Sequence, residues 1–301
     1  MTRRQIVMLL ALSAIWGSSF MFIKVGVEEL KPSTLVAGRL VLATLTLIVI
    51  VALRAPLGVA VAQIRANLGP FVFVALLNSV VPFWLLAWGE TRIDSGLAAL
   101  LQAGAPLFTA VLAALFVRTE RVDGARLVGV LVGFGGVALL VGAVPSGSVL
   151  GALAVVLTGF CYAASSLAGG RYLRTVPAAT IALGTTAIAS VVALPFGIAQ
   201  APSSMPSWKV IGCVVALGVV GLGVAYVIYF GLITGAGASK AILVTYLVPP
   251  MALFYGATIL DESVSADDLA GLALILLGVS LGTGVLQQKL RRSRTPMEMQ
   301  A

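Results

Sequence analysis

Histidine is missing from this 301-residue sequence, and only 10% of its residues are charged. The first absence excludes imidazole metal sites, histidine-based catalytic triads and imidazole proton relays. The second excludes an ordinary water-soluble domain, which carries roughly 25% charged residues. Cysteine is almost as scarce. Cys161 and Cys213 both fall inside apolar runs and read as small packing residues, not as a disulfide or metal pair. There is no Gly-x-x-x-x-Gly-Lys phosphate loop to support ATP drive, and no cluster of convergent titratable groups of the kind an enzyme needs. The net charge of +8 comes in short clusters between apolar runs, with no basic stripe alternating with aromatics, so it does not point to nucleic acid. No cofactor and no metal are expected.

What the chain does have is apolar length. Sixty percent of its residues are hydrophobic, and the mean hydropathy is +1.10. A helix needs about 20 apolar residues to cross the hydrocarbon core of a bilayer. Ten runs qualify: Ile6–Phe22, Thr34–Leu53, Leu68–Trp88, Gly96–Val117, Leu127–Val144, Val149–Ala168, Ala178–Ala199, Val210–Ile233, Ala241–Leu260 and Leu269–Leu286. Arg3-Arg4 before the first run could introduce a signal peptide, but nine similar runs follow, so the first run is expected to be a retained span. The separating segments are short and carry breakers such as Lys31-Pro32-Ser33, Pro145 to Ser148, and Pro202 to Pro206. With the N-terminus inside, thirteen Lys and Arg residues fall on the cytoplasmic side, four of them in the tail after Leu286. Only Lys24, Lys31, Arg92 and Lys209 fall outside. This positive-inside bias predicts two cytoplasmic termini and accounts for the net charge without an anionic partner.

The chain also repeats itself. A shift of 142 residues brings Glu120 onto Glu262, Gly129 onto Gly271 and Gly136 onto Gly278, and places Pro106 next to Pro249. Nearer the start of each half the shift drifts, with Pro32 meeting Pro177 and Ser18-Ser19 meeting Ser165-Ser166. Each half then holds five spans. An odd number forces the second half to enter the membrane upside down, the arrangement of many secondary transporters. The expected fold is an all-α integral membrane protein of ten transmembrane helices, built as two inverted five-helix repeats. Residues 1–145 form the first repeat, 146–286 the second, and 287–301 a basic cytoplasmic tail.

The stretch 217–230 (LGVVGLGVAYVIYF), followed by 235–239 (GAGAS), 246–250 (YLVPP), Asp261-Glu262 and Gly271 to Gly278, resembles the second half of an EamA-type transporter of the drug/metabolite transporter superfamily. Ala14-Ile15-Trp16-Gly17, Arg39, Pro106-Leu107-Phe108, Glu120-Arg121 and Gly129 resemble the first half. Where that family usually has Glu-Arg-Leu after the ninth span, this chain has Glu262-Ser263-Val264. The resemblance covers nearly the whole chain. It implies a bacterial inner-membrane carrier, similar to exporters of amino acids and related metabolites.

A carrier of polar solutes needs polar and aromatic groups facing its interior, because lipid cannot satisfy them. The expected substrate-contacting residues are Trp16, Ser18, Asn78, Gln102, Tyr162, Ser165, Tyr226 and Tyr246. Packing between helices is the competing explanation for each serine. Pro82, Pro106 and Pro249 interrupt the third, fourth and ninth spans and are expected to act as hinges or gates. Gly129-x-x-x-Gly133 and Gly278-x-x-x-Gly282 are expected to be packing seams. Arg39 and Lys240, just inside their spans, are expected to snorkel to the interface, with binding of a substrate carboxylate as the alternative. No span has a central acid, and Glu90, Glu120, Asp261 and Glu262 stand at span ends where water should hydrate them. That pattern predicts a facilitator or weakly coupled carrier. The partners expected are a small-molecule solute and the lipid bilayer, with no nucleic acid; a monomer and a homodimer both remain open. The reading is a secondary transporter of small metabolites, foremost amino acids, working by alternating access. The alternatives are a multidrug or toxic-compound exporter and a membrane-embedded enzyme or scaffold.

Overall fold

The computed structural model describes residues 1–116, 124–145 and 148–282, apart from the side chains of Ala238 and Ser239. Every regular element among them is helical. In chain order these are α1 (Arg3–Glu29), α2 (Pro32–Ala52), α3 (Leu57–Ala66), α4 (Leu68–Glu90), α5 (Ser95–Gln102), α6 (Ala105–Phe116) and α7 (Gly124–Ala143), followed by α8 (Val149–Tyr172), α9 (Ala178–Ala199), α10 (Trp208–Ala236), α11 (Ala238–Ala241), α12 (Val244–Ile259) and α13 (Ala266–Gly282). Taking α5 and α6 as one broken span, eight helical stretches are long and apolar enough to cross a membrane. They coincide with the first eight apolar runs of the sequence. The ninth run is divided between the four-residue α11 and the 16-residue α12. Of the tenth, the residues up to Gly282 are described, as part of the 17-residue α13. Glu120, the end of the tenth run at Leu286 and the tail 287–301 lie outside the described residues.

The helix boundaries follow from local chemistry. Thr2 opens α1 with a capping box: its hydroxyl accepts the Gln5 N–H at 3.3 Å, and Gln5 Oε1 accepts the Thr2 N–H at 2.9 Å. Pro32 stops α1 by holding Lys31 extended, at ψ 148°, and then starts α2 from its first turn. Within the spans, Ser13, Thr46, Ser190 and Ser280 turn their hydroxyls back onto carbonyls one turn earlier, so these four are not left for lipid to satisfy.

Among the described residues, four of the spans are interrupted. In α4 the residues Leu76–Val80 are wound as a π-helix, and the Val81 N–H reaches five residues back to the Leu76 carbonyl. Pro82 explains this, since it has no N–H to donate to the Asn78 carbonyl. A second π-wound stretch, Ala216–Val224, interrupts α10 at the place that the 142-residue shift assigns to the first. The fourth span breaks at Ala103-Gly104, just before Pro106, and the ninth breaks at Ile242-Leu243, ahead of Pro249-Pro250. The sequence did not suggest α3, a short helix with exposed Val59 and Val61 on the same face as the N-terminus.

Helix packing mirrors itself when the two halves are exchanged. α1 packs on α12 as α8 packs on α6; α2 on the π-wound part of α10 as α9 on α4; α4 on α8 as α10 on α1. The remaining large contacts join repeat mates directly, α2 with α9 and α7 with α13. Both of those pairs run antiparallel. Near the start of α2 the Thr34 hydroxyl donates to Gly197 and Gln200 carbonyls at the end of α9, at 3.1 and 3.0 Å, while further along Thr44 meets Ser190 at 2.9 Å. On α7, Gly129 faces Leu281 and Gly282 of α13, whereas Gly136 faces Gly271 and Leu274. The glycines are required here: a Cβ on Gly278 would lie 2.6 Å from the Gly129 carbonyl oxygen.

The largest apolar cluster gathers Ile23, Leu30, Leu35, Leu86, Ile93, Ala98 and Val210 toward the face opposite the N-terminus. That far face is also tied by two carboxylates. Glu29 accepts the Ser207 N–H and hydroxyl at the start of α10, at 2.7 and 2.6 Å. Glu262 accepts from Ser95 and Gly96 at the start of α5.

Candidate functional site

A cavity of about 730 Å³ lies between helices of both halves. Its polar and aromatic lining is concentrated where the spans are irregular. Asn78 belongs to the π-wound stretch of α4, Gln102 is the last residue of α5 before the break, and Tyr226 follows the π-wound stretch of α10 by two residues. The Asn78 side chain hydrogen-bonds the Tyr226 hydroxyl, and Gln102 likewise engages Tyr162. Gln102 Nε2 also donates to Thr158 Oγ1 at 3.2 Å, and that hydroxyl in turn donates to the Val155 carbonyl at 2.6 Å. Trp16 Nε1 donates to the Gly221 carbonyl at 3.2 Å, and its ring lies 5.5 Å from that of Tyr229. Apart from the Thr158–Val155 bond, these contacts cross from one half of the chain to the other, so the walls are held by groups that must separate if the halves move.

The two ends of the cavity differ. Ile23, Arg39, Phe83, Leu86 and Ala99 line the end toward the far face, and each is buried. Ile242 and Thr245 line the end toward the N-terminal face and are exposed; Ala113, Arg126 and Gly282 join them there. Among the described residues, the cavity is therefore accessible from the N-terminal face and closed at the far face.

Of the eight residues expected to meet substrate, Trp16, Asn78, Gln102, Tyr162 and Tyr226 line this cavity, while Ser18, Ser165 and Tyr246 do not. Helical register explains the serines. Trp16 shares a helix face with residues three, four and seven further on, which makes Ser19, Phe20 and Ile23 its companions at the wall. Ser18 instead donates to the Ile15 carbonyl at 2.9 Å. By the same spacing Tyr162 brings Ser166 to the cavity, and Ser165 is buried in packing at 2% exposure. Tyr246 packs against the main apolar cluster, because α12 turns Thr245, Val248 and Pro249 to the cavity. Among the expected hinges, Pro106 and Pro249 line the cavity; Pro82 is buried outside it.

Two expectations about charge are overturned. Arg39 does not snorkel. It is 4% exposed, its guanidinium carbon sits 4.0 Å over the Phe83 ring, and Nε and Nη1 have no hydrogen-bond partner. Nor is Glu90 hydrated: it is fully buried at the end of α4, and neither carboxylate oxygen has a hydrogen-bond partner. The helices of the far face close around both residues, and the length of an apolar run cannot reveal that. Lys24 stands nearby, donating to the backbone carbonyls of Glu90 and Ile93 at 3.0 and 2.7 Å. With Glu90 buried and unpaired, hydrated acids no longer weigh against proton coupling. An arginine five residues into an apolar span, with no acid on its own helix, was the available signal for Arg39. Thr158 gave none.

Comparison with known proteins bears on what such a cavity serves. The chain is 27% identical to the uncharacterized inner membrane transporter YedA of Escherichia coli strain K12, across 91% of this chain and 89% of the relative. It is 28% identical to a protein of Streptantibioticus cattleyicolor named as a probable terminal-alkyne amino-acid exporter, across 93% and 94% of the two chains. A solved crystal structure superimposes with a TM-score of 0.65 over 95% of this chain and 99% of its own, at 18% identity, which shows a shared fold. The family model described as the EamA-like transporter family matches twice, over residues 3–142 and 149–283. The chain is a multi-pass membrane transporter rather than an enzyme, and it belongs to the EamA-like transporter family.

Proposed function

We propose that this protein is a secondary transporter that carries small metabolites, foremost amino acids, across the bacterial inner membrane by alternating access. The carrying observation is the cavity of about 730 Å³ between the two halves, which among the described residues is accessible from one face and closed at the other. Mirrored helix packing supports a second state. If residues 1–145 and 146–286 are inverted five-span repeats, exchanging their conformations closes the N-terminal face and opens the far one. The lining suits a solute with an apolar or aromatic body and few hydrogen-bonding groups. Trp16, Asn78, Gln102, Tyr162 and Tyr226 contact it, and Pro106 and Pro249 serve as hinges. Among the described residues, the charged ones in the lining are Arg39 and Arg126, with no carboxylate, which disfavours the bulky cations typical of a multidrug exporter. The distribution of Lys and Arg supports cytoplasmic termini, with the tail 287–301 on that side. The distant relative named for amino-acid export supports the choice of solute.

The test is uptake of a panel of labelled amino acids into liposomes holding the purified full chain, with and without an imposed pH gradient. Saturable uptake of at least one member is expected. Liposomes with the protein that behave like empty ones toward the whole panel would sink this reading.

A further inference from the structure

We propose that Arg39 is the receptor for a carboxylate on the transported solute, and that it sets the substrate class as carboxylate-bearing metabolites. The inference rests on the transport reading above and adds to it the group that is recognised and the end of the cavity that recognises it.

A guanidinium keeps its charge at any physiological pH. Placing it in a membrane interior is costly unless its N–H groups find acceptors. Arg39 lines the closed end of the cavity, is 4% exposed, and leaves Nε and Nη1 without an acceptor. Its nearest compensation is the face of Phe83, at 4.0 Å from the guanidinium carbon. Glu90 does not consume the donors, because both its oxygens lack hydrogen-bond partners. The arginine therefore holds unused donors at the bottom of a solute-sized space. An acceptor with negative charge completes it.

The surroundings select a carboxylate. Tyr162 and Tyr226 line the same cavity as Arg39 and offer hydroxyls for the second oxygen, while most of the other walls are apolar or aromatic. A phosphate dianion would call for several cations or a helix N-terminus at the same spot. Among the described residues, the other cation lining the cavity, Arg126, belongs to the opposite end. Because Tyr162 and Tyr226 come from the second half and Arg39 from the first, a carboxylate bound there bridges the two halves at the closed gate.

The experiment is counterflow in liposomes containing the full chain, using the fastest-moved amino acid of the panel as label. The competitors are the same amino acid and its carboxamide, which keeps size and amine but removes the anion. With wild-type protein the acid is expected to compete at least about tenfold better than the amide, the scale of one charge-assisted hydrogen bond. Arg39→Gln should bring the two competitors level, Arg39→Lys should keep part of the difference, and Arg126→Gln should keep all of it. Equal competition by acid and amide on wild-type protein overturns the assignment, as does discrimination that survives in folded Arg39→Gln or vanishes in folded Arg126→Gln. Should the Arg39 variants fail to fold, thermal stabilisation of the wild-type protein by acid against amide still decides, since equal stabilisation overturns the proposal. Failure to move any panel member would instead defeat the amino-acid reading beneath it.

Discussion

Glu262 grips Ser95 across the two halves of the chain. Its Oε1 accepts the Ser95 backbone N–H at 2.7 Å, and its Oε2 accepts the Ser95 hydroxyl at 2.9 Å and the Gly96 N–H at 3.0 Å. The carboxylate thus caps the first turn of α5, where free N–H groups and the helix dipole favour negative charge. Gly256 makes room for it, since a Cβ there would collide with the Glu262 carboxylate.

Removing this cap should loosen the far face. Glu262→Ala is expected to cost about 1–2 kcal/mol, the lower part of the range for charged hydrogen bonds because the pair is only partly buried. A lowered thermal midpoint in detergent is the readout. An unchanged midpoint would mean that water replaces the carboxylate without loss.

Membrane orientation can be read with cysteines. Ser204→Cys, exposed on the far face, should react with an impermeant maleimide in intact cells, whereas Arg65→Cys should react only after permeabilisation. The native Cys161 and Cys213 are buried and should add little background. The reverse labelling pattern would invert the topology drawn from the Lys and Arg distribution.

The seam between α7 and α13 should not tolerate a methyl group. Gly278→Ala would push a Cβ into the Gly133 backbone and is expected to destabilise by about 2 kcal/mol or more, the scale of overpacking. Gly135→Ala, with nothing within 4 Å of its Cβ position, should be near neutral. The comparison requires only expression level and thermal midpoint. Equal effects would argue that the two helices separate readily.

Transport should depend on the hydrogen-bonded pairs across the cavity. Asn78→Ala removes the partner of Tyr226, and Gln102→Ala removes that of Tyr162 and Thr158. Each should lower initial uptake about tenfold while leaving the amount of folded protein unchanged. Trp88→Phe should be mild, because Trp88 lies outside the cavity, stacked on Trp84 and covered by Arg92 at 3.7 Å. Wild-type rates in both alanine variants would assign the pairs to packing alone.

Sequence alone determined that the chain is helical and bound to a membrane, where its helical runs lie, where prolines disturb them and which glycines form a seam. These features follow from one-dimensional causes. Lipid leaves a buried backbone almost no choice but the helix, proline always lacks its donor, and small residues permit close backbones. The tertiary structure decided which face of each helix looks inward. These spans are apolar on nearly all sides, so a periodic polar stripe could not reveal it. Ser19 and Ser166 reach the cavity while their neighbours Ser18 and Ser165 do not, a difference of one residue and roughly 100° of helix rotation. Burial of Arg39 and Glu90 was likewise decided in three dimensions. Both sit near span ends, where the sequence leaves water as their expected neighbour, and only the closing of α1, α2, α4 and α5 at the far face takes that water away.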